Sequence, residues 1–245
     1  MAPVPYSDIN TVFLDVGNTL ISIDFDRIAD ELAERQLRCA PDALRRAEAA
    51  ARPGYSEQVF VTGTRPDRSL FHSYLCAILE KAPETKSLSP EALDALVTEI
   101  GPILRPEGRA SVLWRMVMPG VPEALDRIQR RGLTLAVISN SDGTCAESLD
   151  EAGLLRYMNF VVDSADVGVE KPDPRIFQIA LARCGADPAR TLYIGDLYHA
   201  DVLGGRGAGL HALLLDPFND WPPLDCDIAP DLSAVADRLT SSASR

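Results

Sequence analysis

The stretch Thr11-Val12-Phe13-Leu14-Asp15-Val16-Gly17-Asn18-Thr19-Leu20 places one carboxylate between a short apolar run and a turn. Residues 11–14 favour a buried β-strand, and the residues after Asp15 favour a turn. Gly17 adopts a positive φ freely and Asn18 tolerates one, so the turn can direct backbone amides toward a group held by Asp15. Open α/β sheets bind their ligands just beyond the carboxyl ends of their parallel strands, which is the position of Asp15. The stretch therefore predicts either a functional carboxylate or an ordinary strand end closed by a turn-forming Asp.

A helical pattern follows this stretch. Residues 20–26 alternate apolar and polar side chains, which predicts a brief hairpin or flap. Helices are then predicted at residues 27–37, from Pro41 onward, at 69–81 and at 89–104. No segment between them shows a convincing strand pattern. The sequence therefore predicts an all-helical insertion over residues 23–117.

From Met118 onward, strand patterns alternate with helical ones. Strands are predicted at residues 133–139, 160–163, 192–194 and 211–215, and helices near 123–131, 144–152, 174–184 and 198–207. Elements that alternate at this spacing specify a mostly parallel sheet, which the first strand joins. The predicted fold class is therefore α/β, with a Rossmann-like parallel-sheet core built from residues 1–22 and 118–245 around the all-helical insertion.

Composition and charge disfavour several classes of protein. The 245 residues are 46% hydrophobic and 24% charged, as in ordinary globular proteins. The formal net charge of -12 disfavours a general surface for nucleic acid or anionic membranes, but it is compatible with a local basic pocket for a small anion. The longest apolar runs are too short to cross a membrane, and residues 1–10 lack a signal-peptide pattern. We therefore expect no nucleic-acid partner and no membrane.

The cysteines and histidines are scattered along the chain. The five cysteines include no CxxC pair, which favours free thiols in a reducing cytoplasm over a disulfide framework or a zinc site. The three histidines, His72, His199 and His211, include no pair at metal-ligand spacing on a helix. These residues predict a cytoplasmic protein and disfavour a zinc hydrolase.

Polar side chains recur at four strand ends or in the loops that follow them. Asp15 ends the first strand, and Ser139-Asn140 ends the second. Lys171 lies in the loop after the third, while Asp196 ends the fourth and Asp201 follows five residues later. Taken singly, each is explained as a helix cap or a solvated charge. In a parallel sheet, however, the four ends face one edge, so these groups are expected to converge.

Converging carboxylates repel one another unless a cation lies among them. Mg²⁺ suits carboxylate, backbone carbonyl and water ligands. A lysine and turn amides beside such a cation form a site for a phosphate or a similar oxyanion. The residues therefore predict a Mg²⁺ cofactor and a small phosphorylated or similar anionic partner.

These stretches resemble the four sequence motifs of the haloacid dehalogenase superfamily, in the expected order and strand context. The most specific parts are Val167-Gly168-Val169-Glu170-Lys171-Pro172-Asp173-Pro174, followed by Ile176-Phe177, and Gly195-Asp196-Leu197-Tyr198-His199-Ala200-Asp201-Val202. The resemblance covers the whole chain and implies that the helical insertion is a cap domain placed after the first motif. It implies a Mg²⁺-dependent hydrolase, and we favour a phosphatase of small phosphorylated metabolites.

The resemblance also implies a role for each matching residue. Asp15 would be the nucleophile, attacking phosphorus to form an aspartyl-phosphate that water then hydrolyses. Ser139 would hydrogen-bond the transferring group, and Lys171 would neutralise charge on the nucleophile and the phosphoryl oxygens. The substrate-binding groups would be those of Val16, Gly17, Asn18 and Asn140.

Metal ligands follow from the same resemblance. Asp15, Asp196 and the main-chain carbonyl of Gly17 would hold Mg²⁺. Asp201 would bind through water or orient the other ligands. The helical cap would act as a lid that excludes water and selects the substrate.

At Gly17 the chain departs from most phosphatases of the superfamily, which carry there an aspartate that protonates the leaving alcohol and later activates water. Losing such a group typically costs about 10²- to 10⁴-fold in rate. Three interpretations follow: a phosphatase that is slow, uses good leaving groups or recruits another acid; a dehalogenase; or a binder of a phosphorylated ligand or a protein partner without catalysis. We favour the first because Lys171 and the metal carboxylates are present, whereas the dehalogenases need no Mg²⁺.

Substitutes for the missing acid can be nominated only in the flap and the helical insertion. The candidates are Asp24, Asp26, Arg65, Arg68, His72 and Tyr74. Each of these residues is more simply explained as a solvated or packing residue. A phosphonate hydrolase would need a cap lysine that forms a Schiff base, for which Lys81 and Lys86 are the candidates. The sequence does not identify the substrate, and a monomer and a homodimer are both compatible with it.

Overall fold

The computed structural model describes residues 3–62, 69–106 and 113–241. The chain divides into two compact units, one comprising residues 1–22 and 115–245 and the other residues 23–114. The identification of the first unit as a catalytic core and of the second as a cap stays a prediction.

Parallel strands dominate the first unit. The strands among the described residues are β1 (Thr11–Leu14), β2 (Ile21–Ile23), β3 (Trp114–Val117), β4 (Thr134–Ser139), β5 (Phe160–Asp163), β6 (Thr191–Gly195), β7 (His211–Leu215) and β8 (Asp227–Ala229). Six of them form one sheet in the order β5-β4-β1-β6-β7-β8, in which neighbouring strands run parallel. This sheet confirms the predicted α/β fold class.

The strand β1 lies inside the sheet because its side chains are apolar on both faces. Its four residues are all buried, as expected for a parallel strand covered by helices on both sides. In register, Leu14 lies beside Val137 of β4 and Ile194 of β6. The three strands therefore end at nearly the same level, and the residues that follow them share one edge of the sheet.

Helices flank this sheet and build the second unit. The α-helices among the described residues are α1 (Phe25–Glu34), α2 (Pro41–Glu57), α3 (Leu70–Lys81), α4 (Pro90–Leu104), α5 (Val121–Arg130), α6 (Cys145–Glu151), α7 (Ser164–Val167), α8 (Pro174–Cys184), α9 (Gly204–Gly207) and α10 (Leu232–Ser241). Within the described ranges, none of the helices has both the length and the apolar character that crossing a membrane requires.

The second unit is held together by apolar side chains that α1 to α4 share. Leu32 of α1, Leu44 of α2, Ile78 of α3 and Ile100 of α4 are fully buried in one cluster. Burial of side chains of this size stabilises a fold by about 1.5–3 kcal/mol each. The helical apolar spacing that predicted these elements thus reflects a shared core.

The prediction of a local hairpin at residues 20–26 is wrong, and that of a flap stays a prediction. This segment forms β2, which pairs with β3 in a separate two-stranded sheet. Hydrogen bonds from the Met118 N–H to the Leu20 carbonyl (3.0 Å) and from the Asp24 N–H to the Leu113 carbonyl (2.8 Å) extend the pairing at both ends. The partner strand lies far along the chain, in the stretch predicted to be helical, so a local pattern could not identify it.

Two short features near the C-terminal end also differ from the predictions. Neither β8 nor α10 was predicted. The strand β8 has three residues and is too short to show a period, whereas α10 does carry helical apolar spacing, at Leu232, Val235, Ala236 and Leu239. The helix predicted at residues 198–207 begins as a π-helix, Tyr198–Leu203, and continues as α9. Single π-helical turns often occur at functional sites, and this one contains Asp201.

Candidate active site

Asp15 follows the last residue of β1 and is 8% exposed. Its N–H donates to the carbonyl of Ile194 in β6 (2.9 Å), and its carboxylate accepts a hydrogen bond from the N–H of Val16. Because β4 and β6 flank β1, the loops after all three strands surround this carboxylate. Asp15 therefore lies where the sequence predicted a functional group.

Of the two residues that the sequence suggested for a left-handed backbone in the turn after Asp15, the structure uses Asn18. Asn18 has φ 51°, and Gly17 is not among the residues with positive φ. The Asn18 N–H donates to the Ile21 carbonyl (2.7 Å), and the Ile21 N–H donates to the Val16 carbonyl (3.0 Å). Asn tolerates this conformation because its short polar side chain hydrogen-bonds locally. A side chain at position 17 therefore meets no strain from a left-handed backbone.

Lys171 joins the predicted residues into one cluster. Its Nζ donates to Asp15 Oδ1 (2.5 Å), to Asp201 Oδ1 (2.7 Å) and to Tyr193 Oη (2.9 Å). An ammonium group has three N–H donors, and all three are used here. The Lys171 side chain is 4% exposed. The lysine that the sequence predicted to be functional is therefore buried between the carboxylates of Asp15 and Asp201.

Asn140 fixes the backbone of Lys171. Its Nδ2 donates to the Lys171 carbonyl (3.0 Å), and its Oδ1 accepts from the Lys171 N–H (2.7 Å). The amide thus holds the loop after β5 against the end of β4. Ser139, the last residue of β4, is buried and hydrogen-bonds the thiol of Cys145. These contacts assign Asn140 a positioning role that its prediction as a substrate-binding residue did not include.

The two carboxylates after β6 are held by backbone and side-chain donors. Asp201 Oδ2 accepts the N–H groups of Asp196 (3.1 Å) and Leu197 (2.8 Å). Asp196 Oδ2 accepts from Asn18 Nδ2 (3.1 Å). One oxygen from each of Asp15, Asp196 and Asp201 lies within 4.8 Å of the other two, and all three residues are buried. The predicted metal carboxylates therefore converge.

The charges of this cluster do not balance. Three carboxylates face one ammonium group, which leaves a formal charge of about −2 if all are ionised. Burial raises the pKa of Asp15 to about 6, with a further contribution from Asp201 that opposes the lowering by Lys171. Burial alone would lower the pKa of Lys171, but Asp15 and Asp201 outweigh it and raise that pKa well above its ordinary value. The site is therefore suited to a divalent cation.

Position 195 requires glycine, because a side chain at this position would collide with the Asp201 carboxylate. A Cβ on Gly195 would lie 2.3 Å from Cγ and Oδ2 of Asp201. We expect Gly195→Ala to displace that carboxylate and to lower turnover by about 10²-fold or more, since misplacements near 1 Å cost this much. Steady-state assays check this against Gly101→Ala, a control with no atom within 4 Å of the added methyl. Equal activity in both variants would contradict the role of Asp201.

Two further residues of the site lack a sequence prediction. Tyr193 Oη accepts from Lys171 and donates to the Ile138 carbonyl (3.0 Å). Asp163, at the end of β5, accepts the N–H groups of Gly143 (3.1 Å) and Cys145 (3.2 Å), which fixes the loop after β4. The available signal was a polar residue at the very end of the strand that precedes the Lys171 loop, and a tyrosine hydroxyl in the middle of β6.

The nominated substitutes for an acid at position 17 have structural contacts inside the helical unit. Asp24 caps α1, His72 Nε2 lies 2.7 Å from Asp94 Oδ1, and Tyr74 Oη donates to Glu48 Oε1 (2.6 Å). Asp26 is exposed in the first turn of α1. Arg65 and Arg68 lie outside the described residues.

Lys81 and Lys86, the candidates for a Schiff base, are both exposed. A lysine that forms a Schiff base needs a lowered pKa, which burial provides. Their exposure therefore weakens the phosphonate hydrolase interpretation.

The sequence matches the family described as haloacid dehalogenase-like hydrolase over residues 9–209. This match covers most of the chain, and the parallel sheet and its carboxyl edge agree with it. The chain therefore belongs to the haloacid dehalogenase-like hydrolases, as the four motifs predicted.

Relatives and solved structures support this assignment. The chain is 40% identical over 102 residues to haloacid dehalogenase-like hydrolase domain-containing protein 3 of Mus musculus, covering 42% of this chain and 40% of that protein. It is 39% identical over 118 residues to phosphoserine phosphatase of Thermus thermophilus, covering 46% and 47%. The chain thus spans about two fifths to one half of the length of these relatives. The crystal structure of the HAD-hydrolase YfnB from Bacillus subtilis bound to magnesium has a similar fold, with TM-score 0.66, 18% identity and coverage of 94% and 98%.

Proposed function

We propose that this chain is a Mg²⁺-dependent phosphatase that acts on a small phosphorylated metabolite through an aspartyl-phosphate at Asp15. The observation that carries the proposal is the buried cluster in which Lys171 Nζ joins Asp15 and Asp201, with Asp196 beside them. Relatives named phosphoserine phosphatase and glyceraldehyde 3-phosphate phosphatase support a phosphate ester as substrate.

The residues present fit Mg²⁺. Three acidic residues offer carboxylate oxygens in a buried site with an excess of negative charge, and hard oxygen ligands are those that Mg²⁺ prefers. Asp15, Asp196 and the Gly17 carbonyl would hold the ion, and Asp201 would act through water. When bound, Mg²⁺ would neutralise charge on the phosphoryl oxygens and on the attacking carboxylate. The likeness to a structure described as bound to magnesium is consistent with this assignment.

The protein groups have separate tasks in the proposed reaction. A carboxylate oxygen of Asp15 attacks phosphorus and the bond to the leaving oxygen breaks, so that the leaving group departs as an alkoxide and takes a proton from solvent water to become the alcohol. Water then attacks phosphorus of the aspartyl-phosphate, which releases phosphate and regenerates Asp15. Lys171 stabilises the negative charge in both steps, and Asn140 and Tyr193 hold its backbone and its ammonium group in place.

Position 17 has no side chain that could transfer a proton to the leaving group. We expect Gly17→Asp to raise kcat on alkyl phosphates by about 10²- to 10⁴-fold. The increase should be smaller on p-nitrophenyl phosphate, because its leaving group needs little protonation. The φ angle of residue 17 is not positive, so the new side chain is compatible with the backbone.

Gly17→Asn is the matched control, since it adds a side chain of the same shape without a titrating proton. Steady-state kinetics of both variants on the two classes of substrate make the comparison. Equal activity of the Asp and Asn variants on alkyl phosphates would show that the missing acid is not the only defect.

Assays with p-nitrophenyl phosphate and acetyl phosphate, with and without Mg²⁺, test the proposed function. We expect turnover of both substrates that requires Mg²⁺. Chloride release from 2-haloacids in the presence of EDTA would instead select the dehalogenase. Stabilisation by phosphorylated ligands without turnover would select a binding protein.

The five cysteines form no disulfide with one another, which supports our proposal that the protein works in a reducing compartment such as the cytoplasm.

A further inference from the structure

A second group of metal-ligating side chains lies in the helical unit. His72 and Cys76 lie one turn apart on α3, and Asp94 lies on α4. His72 Nε2 is 2.7 Å from Asp94 Oδ1, and a ligand atom of each residue lies within 4.8 Å of the others. All three residues are half-buried, so an ion in solution can reach them. A search of the sequence for histidine pairs at metal-ligand spacing does not find this group, because one ligand is a thiol and another comes from a different helix.

The backbone beneath these side chains is fixed independently of them. Ser69 Oγ accepts the N–H of His72 (3.1 Å), which defines the first turn of α3. Ser89 caps the start of α4 in the same way, and apolar side chains of both helices share the core of the unit. The i, i+4 spacing places His72 and Cys76 on one face of α3. The ligands are therefore brought together before any ion binds, which lowers the cost of binding.

The chemistry of the three ligands selects the class of ion. Thiolate and imidazole are ligands of Zn²⁺ and related transition metals, whereas Mg²⁺ prefers oxygen. A thiolate, a carboxylate and a neutral imidazole together balance the charge of a divalent cation. Zinc lies about 2.0–2.3 Å from such atoms, so ligand atoms within 4.8 Å of one another reach this geometry by small rotations of the side chains.

We propose that His72, Cys76 and Asp94 form a site for Zn²⁺ or a similar divalent transition-metal ion, with water as the fourth ligand. On binding, the Cys76 thiol releases its proton to solvent, and the thiolate coordinates the ion. The bound ion links α3 to α4 and stabilises the helical unit by mass action. This site shares no residue with the Asp15 cluster, and the proposal does not depend on the proposed phosphatase activity.

Titration of the metal-free full chain with Co²⁺ tests the proposal without an activity assay. We expect tetrahedral bands in the visible spectrum and a thiolate-to-cobalt charge-transfer band in the near ultraviolet, both removed by Zn²⁺. Cys76→Ser should lose the charge-transfer band. His72→Ala and Asp94→Asn should weaken binding by at least about 10-fold, since even partners outside the ligand set contribute this much.

Cys184→Ser is the matched control, because Cys184 is also half-buried on a helix but belongs to the other unit. Its spectrum should equal that of the unsubstituted chain. Circular dichroism of the metal-free variants checks folding, and Zn²⁺ should raise the melting temperature of the unsubstituted chain more than that of Cys76→Ser. Absence of a charge-transfer band, or a band that survives Cys76→Ser, overturns the proposed site.

Discussion

Asp15→Asn is expected to lower kcat on p-nitrophenyl phosphate and acetyl phosphate by at least about 10³-fold, because loss of the group that forms the covalent intermediate removes the main reaction path. The amide has the same shape as the carboxylate, so the packing after β1 should persist. Asp15 is the only carboxylate directly at the end of this strand, and Lys171 Nζ donates to it. Steady-state assays at saturating Mg²⁺ measure the loss.

The stability of the same variant separates a chemical effect from unfolding. Burial raises the pKa of Asp15 to about 6, above the unfolded value near 3.9. The folded protein therefore binds more protons than the unfolded chain between these values, and the contribution of Asp15 to stability falls as pH rises through this range. Asn carries no charge, so at pH 7 the metal-free variant should melt at the same temperature as the unsubstituted chain or higher. Asp8→Asn, at an exposed position, is the control for both measurements.

Lys171→Met is expected to have the second large effect, on both activity and stability. The substitution leaves Asp15 and Asp201 buried without their shared cation, and breaking a buried ion pair from one side costs about 3–5 kcal/mol. We expect the metal-free variant to lose stability by this order. The loss should be larger at higher pH, because protonation of Asp15 at lower pH relieves its repulsion with Asp201. Turnover should fall by about 10²-fold or more, since a preorganised charge has been removed.

Mg²⁺ should restore part of that stability. A divalent cation relieves the same repulsion, so it should raise the melting temperature of Lys171→Met more than that of the unsubstituted chain. Lys86→Met, at an exposed position, is the control and should behave as the unsubstituted chain does. If Lys171→Met left the metal-free stability unchanged, Lys171 could not be the cation that stabilises the buried carboxylates of Asp15 and Asp201.

The parallel core could be predicted because each strand carries its own signal. Thr11–Leu14 and His211–Leu215 are apolar and buried after their first residue, and helices with clear apolar spacing separate most of the strands. The pairing of Ile21–Ile23 with Trp114–Val117 could not be predicted. It joins two short segments that are distant in sequence, and the second of them is mostly exposed.

The convergence of the charged residues followed from topology, but their individual contacts did not. Strand ends in a parallel sheet share an edge, which was enough to bring Asp15, Asp196 and Lys171 together. The clamp of Asn140 on the Lys171 backbone and the hydroxyl of Tyr193 depend on side-chain directions that no spacing reveals. The roles assigned to these residues stay predictions until variants are assayed.

The most direct test of the account is to find where the phosphoryl group is attached during turnover. Acid quenching of the unsubstituted chain during reaction with labelled acetyl phosphate, followed by peptide mapping, detects a covalent phosphoryl-enzyme. We predict acid-stable label on the peptide that contains Asp15, dependent on Mg²⁺ and absent from Asp15→Asn. Mg²⁺-dependent turnover in Asp15→Asn at the unsubstituted rate, or label on a different residue, would contradict Asp15 as the nucleophile.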